Sequence, residues 1–320
     1  MKTKPTQPYV GLDVSKKVLE LAIHESDYRH CYPNNPSGFA ELIAELIILE
    51  PALIVIEATG GLEKPAVAAM DTAGLPIAVI NPRQVRHFAK ALGQLAKTDR
   101  LDARVLAHYA AAIKPPLRPI KSVPEQDLDA LVGRRGQLVG MLIAEKNRRA
   151  TAPNDRVRAE IEEHIEWLEG RIAALDRQLK ELMNSSATWK HTNQILRSVP
   201  GFGPVVSFTM LADLPELGKL NRQQISKLVG LAPLNRDSGQ KHGPRHIYGG
   251  RASVRSILYM ATLTAIRYNP VIKAFYERLI ANHKVFKVAI TACMRKLLAI
   301  VNLMVRNGTS WKTADTHVSA

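Results

Sequence analysis

The chain has 320 residues, of which 46% are hydrophobic and 5% aromatic, so it can bury the cores of about two or three domains. Its first residues, MKTKPTQPYV, lack the apolar stretch of a signal peptide, and we find no unbroken apolar run of the ~18 residues that a membrane span needs. Cys31 and Cys293 are the only cysteines and no CxxC occurs, which argues against a disulfide framework or a thiolate zinc site and is typical of a reducing cytoplasm.

The net charge of +15 is concentrated in one part of the chain. Residues 187–320 contain 19 Lys and Arg against 5 Asp and Glu, a net +14, and residues 1–186 contain 25 against 24. A surface that is only soluble mixes both signs, whereas a concentrated positive field attracts polyanions. The charge therefore favours a nucleic-acid partner for the C-terminal part.

The first hundred residues alternate between strand and helix patterns. Three strands are predicted at 9–14, 18–24 and around 30–32, followed by a helix that begins at Asn35-Pro36-Ser37 with Ser37 as its N-cap. The later predicted elements are a buried strand at 53–56, a helix at 63–73, a strand at 76–80 and a helix at 83–93. This order predicts an α/β layer that opens with a β-meander and continues with parallel strands.

Prolines after residue 114 mark a linker, and two long helices are predicted beyond it. The second carries an a/d pattern with 4-3-4-3-4-3 spacing: Ile161, Ile165, Leu168, Ile172, Leu175, Leu179 and Leu182. Such a seam is typical of a coiled coil, which would join copies of the chain, although an intramolecular helical hairpin would produce the same pattern. The chain from about residue 190 is predicted to be mainly helical.

Four acids have the residue types and order of a two-metal nuclease site of the RNase H type. Asp13 lies in the first strand, Glu57 follows the strand at 53–56, and Asp99 and Asp102 share one face at the start of a helix. Hard Mg²⁺ ions prefer carboxylate oxygens, and two such ions can activate a nucleophile and stabilise the leaving oxygen in phosphodiester cleavage. Each acid alone is more simply explained as a turn, cap or first-turn residue, and it is the set, in this order and on these elements, that indicates a metal site.

A sugar-kinase-like or actin-like ATPase also opens with a G-x-D strand. Here the turn Val14-Ser15-Lys16 has no phosphate-binding glycine, and Gly60-Gly61 is a weak substitute. The basic helical C-terminal part is also atypical of that class, so we keep this ATPase as the third alternative.

Two C-terminal segments could contact a phosphate. Gly201 and Gly203, in the turn between helices 190–198 and 204–212, resemble the hairpin of a helix-hairpin-helix motif, or equally an ordinary helix cap. Ser238-Gly239 lies in a Gly-rich loop, where a serine could attack phosphorus if a metal or base activates it. The basic residues around it that are predicted to bind nucleic acid are Arg236, Lys241, Arg245, Arg251 and Arg255.

The motifs GLDVSK, VIEATG, KTDRLDAR, SVPGFG, GLAP with DSG and GG, and RSILYMA resemble, over nearly the whole chain, the DEDD transposases of the insertion-sequence group related to the pilin-gene invertase. These are bridge-RNA-guided recombinases. The resemblance implies a RuvC-like domain with Asp13, Glu57, Asp99 and Asp102 as metal ligands, a coiled coil, and a transposase domain with Ser238 as catalytic serine. It also implies a covalent phosphoserine link to DNA and an active site shared between subunits.

We therefore expect an α/β RNase H-like domain at 1–114, a linker and coiled-coil hairpin at 115–186, and a mainly α transposase domain at 187–320. The expected activity is metal-dependent DNA strand transfer with Mg²⁺, or Mn²⁺ in its place. Expected partners are donor and target DNA, a structured guide RNA, and further copies of the chain in a dimer or tetramer. We expect no membrane, and a place in the bacterial or archaeal cytoplasm, associated with the nucleoid. The alternatives are a junction nuclease that uses water and a non-catalytic architectural protein that binds DNA or RNA.

Overall fold

A computed structural model describes residues 7–94, 99–117, 121–235, 237–239, 241–243 and 245–311, and at residues 99–101, 241 and 242 it describes the backbone alone. The chain forms two compact units, Met1–Ile120 and Lys121–Ala320. The division at residues 114 and 186 that the sequence suggests stays a prediction.

The first unit is built on a five-stranded mixed sheet. Its strands are β1 (Tyr9–Val14), β2 (Val18–Ile23), β3 (Arg29–Pro33), β4 (Leu53–Glu57) and β5 (Ile77–Ile80). The spatial order is β3-β2-β1-β4-β5, in which the first three strands are antiparallel neighbours and β1, β4 and β5 are parallel. The predicted meander and the parallel second half are confirmed, and β1 lies at the centre of the sheet.

Four helices accompany the sheet: α1 (Pro36–Leu49), α2 (Lys64–Thr72), α3 (Pro82–Ala91) and α4 (Asp99–Ile113). The predicted N-cap of α1 is wrong. Asn35 is the cap, because its side chain accepts a hydrogen bond from the backbone N–H of Gly38 at 3.0 Å, whereas Ser37 lies inside the helix. Asn and Ser are nearly equivalent caps, and proline favours the first helical position, so the residue directly before Pro36 becomes the cap.

The two faces of the sheet bury different helices because side chains alternate along each strand. Leu12 and Ile56 belong to the core that contains residues of α1 and α2, and Val55 belongs to the core that contains residues of α3 and α4. Gly11 shares the second face, and a Cβ added to it would lie 2.2 Å from the carbonyl oxygen of Ala103. Only glycine allows α4 to lie this close to β1.

The second unit begins with a helical hairpin of α5 (Val123–Ala150) and α6 (Asp155–Ser185). Leu168 is fully buried in a cluster that also contains Leu138 of α5, and Leu179 is fully buried with Leu128. The predicted apolar seam of α6 thus packs against α5 of the same chain. Assembly of several copies through this segment stays a prediction.

Polar contacts join the two helices of the hairpin. Lys146, near the C-terminal end of α5, contacts Glu169 of α6 at 2.7 Å. Glu145 is 9% exposed and accepts from the guanidinium of Arg148 at 2.6 Å, and its carboxylate lies 3.5 Å from Nδ1 of His164 on α6. The contacts of Lys146 with Glu169 and of Glu145 with His164 cross from α5 to α6, whereas the contact of Glu145 with Arg148 lies within α5.

The rest of the second unit is mainly helical, as predicted. Its elements are α7 (Ala187–Arg197), α8 (Pro204–Asp213), α9 (Arg222–Val229), β6 (Asp237–Ser238), β7 (Lys241–His242), α10 (Ala252–Tyr268), α11 (Pro270–Ala281) and α12 (Phe286–Asn307). One core cluster takes side chains from all six of these helices. By length and composition α12 could cross a membrane, but 56% of its apolar window is buried in this unit, as in a core helix.

Candidate functional site

Asp13 and Glu57 lie at the carboxyl ends of neighbouring parallel strands. The register of β1 and β4 pairs Leu12 with Ile56, so the next residues along the two strands are Asp13 and Glu57. Adjacent strands lie about 4.8 Å apart, so the Cα atoms of Asp13 and Glu57 are close enough for both side chains to reach one ion. Both residues are partly exposed and, by alternation, share the face of Gly11 and Val55, which is the face that α4 covers.

The start of α4 lies over this end of the sheet because the helix runs antiparallel to β1. Ala103 lies against Gly11, and Nζ of Lys114, just beyond the end of α4, lies 5.7 Å from the ring centre of Tyr9 at the start of β1. From Ala103 back to residue 99 is about 6 Å along the helix, and from Gly11 to Asp13 is about 6.6 Å along the strand. The first turn of α4, with Asp102, therefore lies above Asp13.

Among the side chains that the structure describes, no group of three or more His, Cys, Asp or Glu residues is placed to hold a metal ion. The side chain of Asp99, the predicted fourth ligand, lies outside the described residues. The sheet itself brings together Asp13 and Glu57, and the helix brings Asp102 to the same end. Carboxylate oxygens at adjacent strand ends are the donor type that a hard divalent cation prefers, so the residues present fit such an ion.

The turn after β4 contains an acid that the sequence analysis missed. One oxygen of Glu63 accepts hydrogen bonds from the backbone N–H groups of Thr59 and Gly61, both at 2.9 Å, and Glu63 is 7% exposed. A phosphate bound at this turn would need backbone N–H donors, and the Glu63 carboxylate already takes those of Thr59 and Gly61. This arrangement weighs against the ATPase alternative. The available signal was an acid four residues after a Thr-Gly-Gly turn.

Ser238 lies in a short exposed hairpin. It pairs with Lys241 across the ladder of β6 and β7, and Gly239 in the connecting turn has a φ of +55°. The neighbouring Asp237 accepts a hydrogen bond from the guanidinium of Arg245 at 2.9 Å. An exposed hydroxyl beside a turn is accessible to a large substrate such as DNA.

The two glycines that could mark a phosphate-binding hairpin have different roles in the packing. Gly201 has a φ of +102°, and a Cβ added to it would lie 2.9 Å from the carbonyl oxygen of Ala261 in α10. Gly203 is the N-cap of α8 and has open space around it. Gly201 is thus required for close packing of helices, and a phosphate contact at either glycine stays a prediction.

The predicted nucleic-acid-binding arginines differ in their partners. Arg251 donates to both carboxylate oxygens of Glu216, at 2.5 and 2.6 Å, and to the carbonyl oxygen of Asp213 at 2.8 Å. Arg255 donates to the carbonyl oxygens of Val229 and Gly249, at 3.2 and 2.6 Å. Both therefore tie the start of α10 to neighbouring segments, whereas Arg245 is exposed.

Two other predicted nucleic-acid contacts lie outside the description: Arg236 as a whole, and the side chain of Lys241.

Two family models match the chain. One, described as a transposase of the DEDD type of IS110, matches residues 10–152, and the other, described as the transposase IS116/IS110/IS902 family, matches residues 193–277. The first contains Asp13, Glu57, Asp99 and Asp102, and the second contains Ser238. The two models thus cover separately the two places where the sequence predicts catalytic residues.

Curated relatives agree with this assignment. The pilin gene-inverting protein of Moraxella bovis is 29% identical over 311 residues, which are 94% of this chain and 96% of the relative. A probable family 20 transposase of Pseudomonas aeruginosa is 24% identical and covers 79% of this chain and 81% of the relative. The transposase for insertion sequence element IS1111A of Coxiella burnetii is 24% identical, with 72% and 70% covered. The chain belongs to the IS110 family of transposases, whose activity is DNA transposition and recombination.

Proposed function

We propose that this transposase cuts and rejoins DNA strands by serine attack on a phosphodiester, assisted by divalent ions at an RNase H-like site. The observation that carries the proposal is the position of Asp13 and Glu57 at adjacent ends of β1 and β4, beneath the first turn of α4. The strand order β3-β2-β1-β4-β5, with β1 central, supports the RNase H-like assignment because it brings distant acids to one edge of the sheet.

Asp13, Glu57, Asp99 and Asp102 would hold Mg²⁺, or Mn²⁺ in its place. A bound ion supplies Lewis-acid stabilisation of the charge that develops on the phosphate and on the leaving oxygen. The contribution of the chain is to fix the acids: two are held by hydrogen-bonded strands, and the others are held by a helix pressed against Gly11. Such positioning keeps donors within the tight tolerance that phosphoryl transfer needs.

Ser238 would be the nucleophile. Its Oγ forms a bond to phosphorus, its hydroxyl proton passes to the carboxylate cluster, and the bond from phosphorus to the 3′ oxygen breaks, so that this oxygen leaves and takes up a proton. The product is a phosphoserine link to DNA, and attack by a 3′ hydroxyl reverses the step and rejoins the strand. The exposed hairpin of β6 and β7 supports access by DNA.

We further propose that a structured guide RNA selects the donor and target DNA by base pairing, so the protein itself need not carry a base-reading helix. The protein would act as a dimer or tetramer joined by a coiled coil through α6, in a bacterial or archaeal cytoplasm at the nucleoid. In this assembly the acids of one subunit act with Ser238 of another, as the resemblance implies.

The test is incubation with donor and target DNA, the flanking RNA of the element and Mg²⁺, followed by denaturing electrophoresis. We expect a covalent protein–DNA adduct that is absent with Ser238→Ala and with Asp13→Asn. Cleavage without an adduct that persists in Ser238→Ala would instead identify a nuclease that uses water. Unchanged activity of Asp13→Asn would refute the role of the acids and leave an architectural protein.

Mixing the two variants tests the shared site. If the acids and the serine come from different subunits, mixed oligomers of Asp13→Asn and Ser238→Ala regain part of the activity, since each mixed pair retains one intact combination. If both come from one subunit, every site in the mixture is defective and no activity returns.

A further inference from the structure

The second unit contains a cleft lined by five cations. Its volume is about 580 Å³, and it lies among α9, α11 and α12. The basic residues that line it are Arg222, Arg278, Arg295, Lys296 and Arg306. Among the described residues no Asp or Glu lines this cleft. Five positive charges around one concave surface raise the local concentration of a polyanion.

Phe275 holds two of these cations without neutralising them. Nζ of Lys296 lies 4.6 Å from the ring centre, and Cζ of Arg278 lies 5.2 Å from it. A cation–π contact orients a cation but leaves its full charge, whereas a carboxylate would cancel it. Within the part of the chain that the structure describes, neither residue forms an ion pair with a carboxylate. Both remain available to an anionic ligand.

A second cavity of about 820 Å³ adjoins the first, since Pro233, Ala292 and Arg295 line both. It adds Lys287 and Tyr259, a residue that is 37% exposed. Its described lining also contains no Asp or Glu. Because the two cavities share these lining residues, we treat them together as one basic surface and call it the α12 groove.

The α12 groove reaches the hairpin that carries Ser238. Arg245 lines the second cavity and forms the 2.9 Å ion pair with Asp237, the residue next to Ser238. A strand whose phosphate lies at Ser238 therefore has a basic groove beside it. Because Ser238 attacks DNA in the proposed function, the occupant that this continuity favours is the DNA strand that flanks the attacked phosphate.

We propose that the α12 groove binds a single-stranded stretch of the DNA flanking the phosphodiester that Ser238 attacks. This inference rests on the proposed function. The cations would contact phosphates, and the face of Tyr259 would stack on an unpaired base. Duplex DNA hides its base faces in the stack, so an aromatic ring inside a groove selects unpaired nucleotides. The residues named here come from four separate helices and lie mainly outside the Gly-rich loop.

The test uses full-length protein with Ser238→Ala, so that binding is measured without chemistry. Fluorescence anisotropy reports the Kd for a labelled single-stranded DNA, for the same DNA as a duplex, and for an RNA of the same sequence, over a range of salt concentrations. We expect the double variant Arg278→Glu with Arg295→Glu to weaken single-stranded DNA binding by about tenfold or more at about 0.15 M salt. The slope of log Kd against log salt should fall by about 1.4, or ~0.7 for each lost phosphate contact.

Lys273→Glu is the matched control, because Lys273 is an exposed lysine of α11 that does not line the groove. Its effect should stay within about threefold, while Tyr259→Ala should weaken single-stranded DNA more than duplex. If Lys273→Glu weakens single-stranded DNA binding as much as Arg278→Glu alone does, the effect is a general one of charge and the groove is not the binding site.

If the groove variants lose RNA binding but keep DNA binding, the assignment of DNA to the groove is overturned. If they lose duplex and single-stranded DNA binding equally, the assignment of single-stranded DNA is overturned. Failure of the serine mechanism leaves all these binding results unaffected, so the two proposals fail separately. Thermal melting confirms that each variant is folded, and because these side chains are exposed we expect little change.

Discussion

Gly11→Ala tests whether the contact between β1 and α4 positions the acids. The added carbon would lie 2.2 Å from the carbonyl oxygen of Ala103 and 2.3 Å from the backbone nitrogen of Ala107, whereas ordinary contact begins at 3.4 Å. Helix α4 must therefore retreat by about 1 Å. Overpacking of this kind costs about 1–3 kcal/mol of stability. A displacement of about 1 Å in a catalytic group can cost ~100-fold in rate, so we expect a loss of that order in strand transfer.

The assay compares the rate of strand transfer at saturating DNA and Mg²⁺ with the free energy of unfolding from urea titration. The control is Gly136→Ala, since Gly136 is an exposed helical glycine with open space around it and should gain about 0.5–1 kcal/mol without a change in rate. A Gly11→Ala protein that is destabilised but retains its rate would refute the idea that the position of α4 matters for catalysis. Unchanged stability would refute the close packing itself.

Three further predictions concern other parts of the chain. Arg251→Ala should lower the free energy of unfolding by about 1–3 kcal/mol through loss of the pair with Glu216. Unchanged stability with weaker DNA binding would contradict this structural role and support the predicted nucleic-acid contact of Arg251. In the native protein, iodoacetamide at about pH 8 should label only Cys31, because burial raises the pKa of the Cys293 thiol to about 11. In the denatured protein both thiols should be labelled. Labelling of Cys293 in the folded protein would contradict its burial. A hydrogen bond from the backbone N–H of Ser122 lowers the pKa of Glu125 at the start of α5, so the stability that this carboxylate contributes is present above its unfolded pKa and is lost as the pH falls through its folded pKa. Glu125→Gln should remove this part of the acid dependence of Tm. An unchanged dependence of Tm on pH would show that the cap contributes nothing.

The elements of the first unit could be predicted because each has a strong local pattern. Leu53–Glu57 is a buried apolar strand that ends in an acid, and Asp13 follows apolar residues in the same way. The close approach of α4 to β1 could not be predicted, because it depends on a glycine in β1 that meets a helix some 90 residues later. A glycine inside a strand was the available hint.

The partners of the C-terminal basic residues could not be predicted either. Arg251 lies near other basic residues in sequence, which suggested a phosphate contact, but its carboxylate partner is 35 residues away along the chain. The cations of the α12 groove come from separate helices, so no single segment of the sequence contains the pattern. Local sequence thus predicts residue types at a site better than it predicts how distant residues pair.

The buried carboxylate of Glu145 has a consequence for how the helical hairpin assembles. A seam of leucine and isoleucine repeats every seven residues, so sliding one helix by a heptad, about 10 Å, would still bury apolar side chains. Such a slip would separate Glu145 from His164 and Lys146 from Glu169, whereas Arg148, on the same helix as Glu145, would move with it and keep its contact. The native alignment is therefore the one that keeps both of these contacts between the helices, while the shifted alignments would keep only the apolar seam.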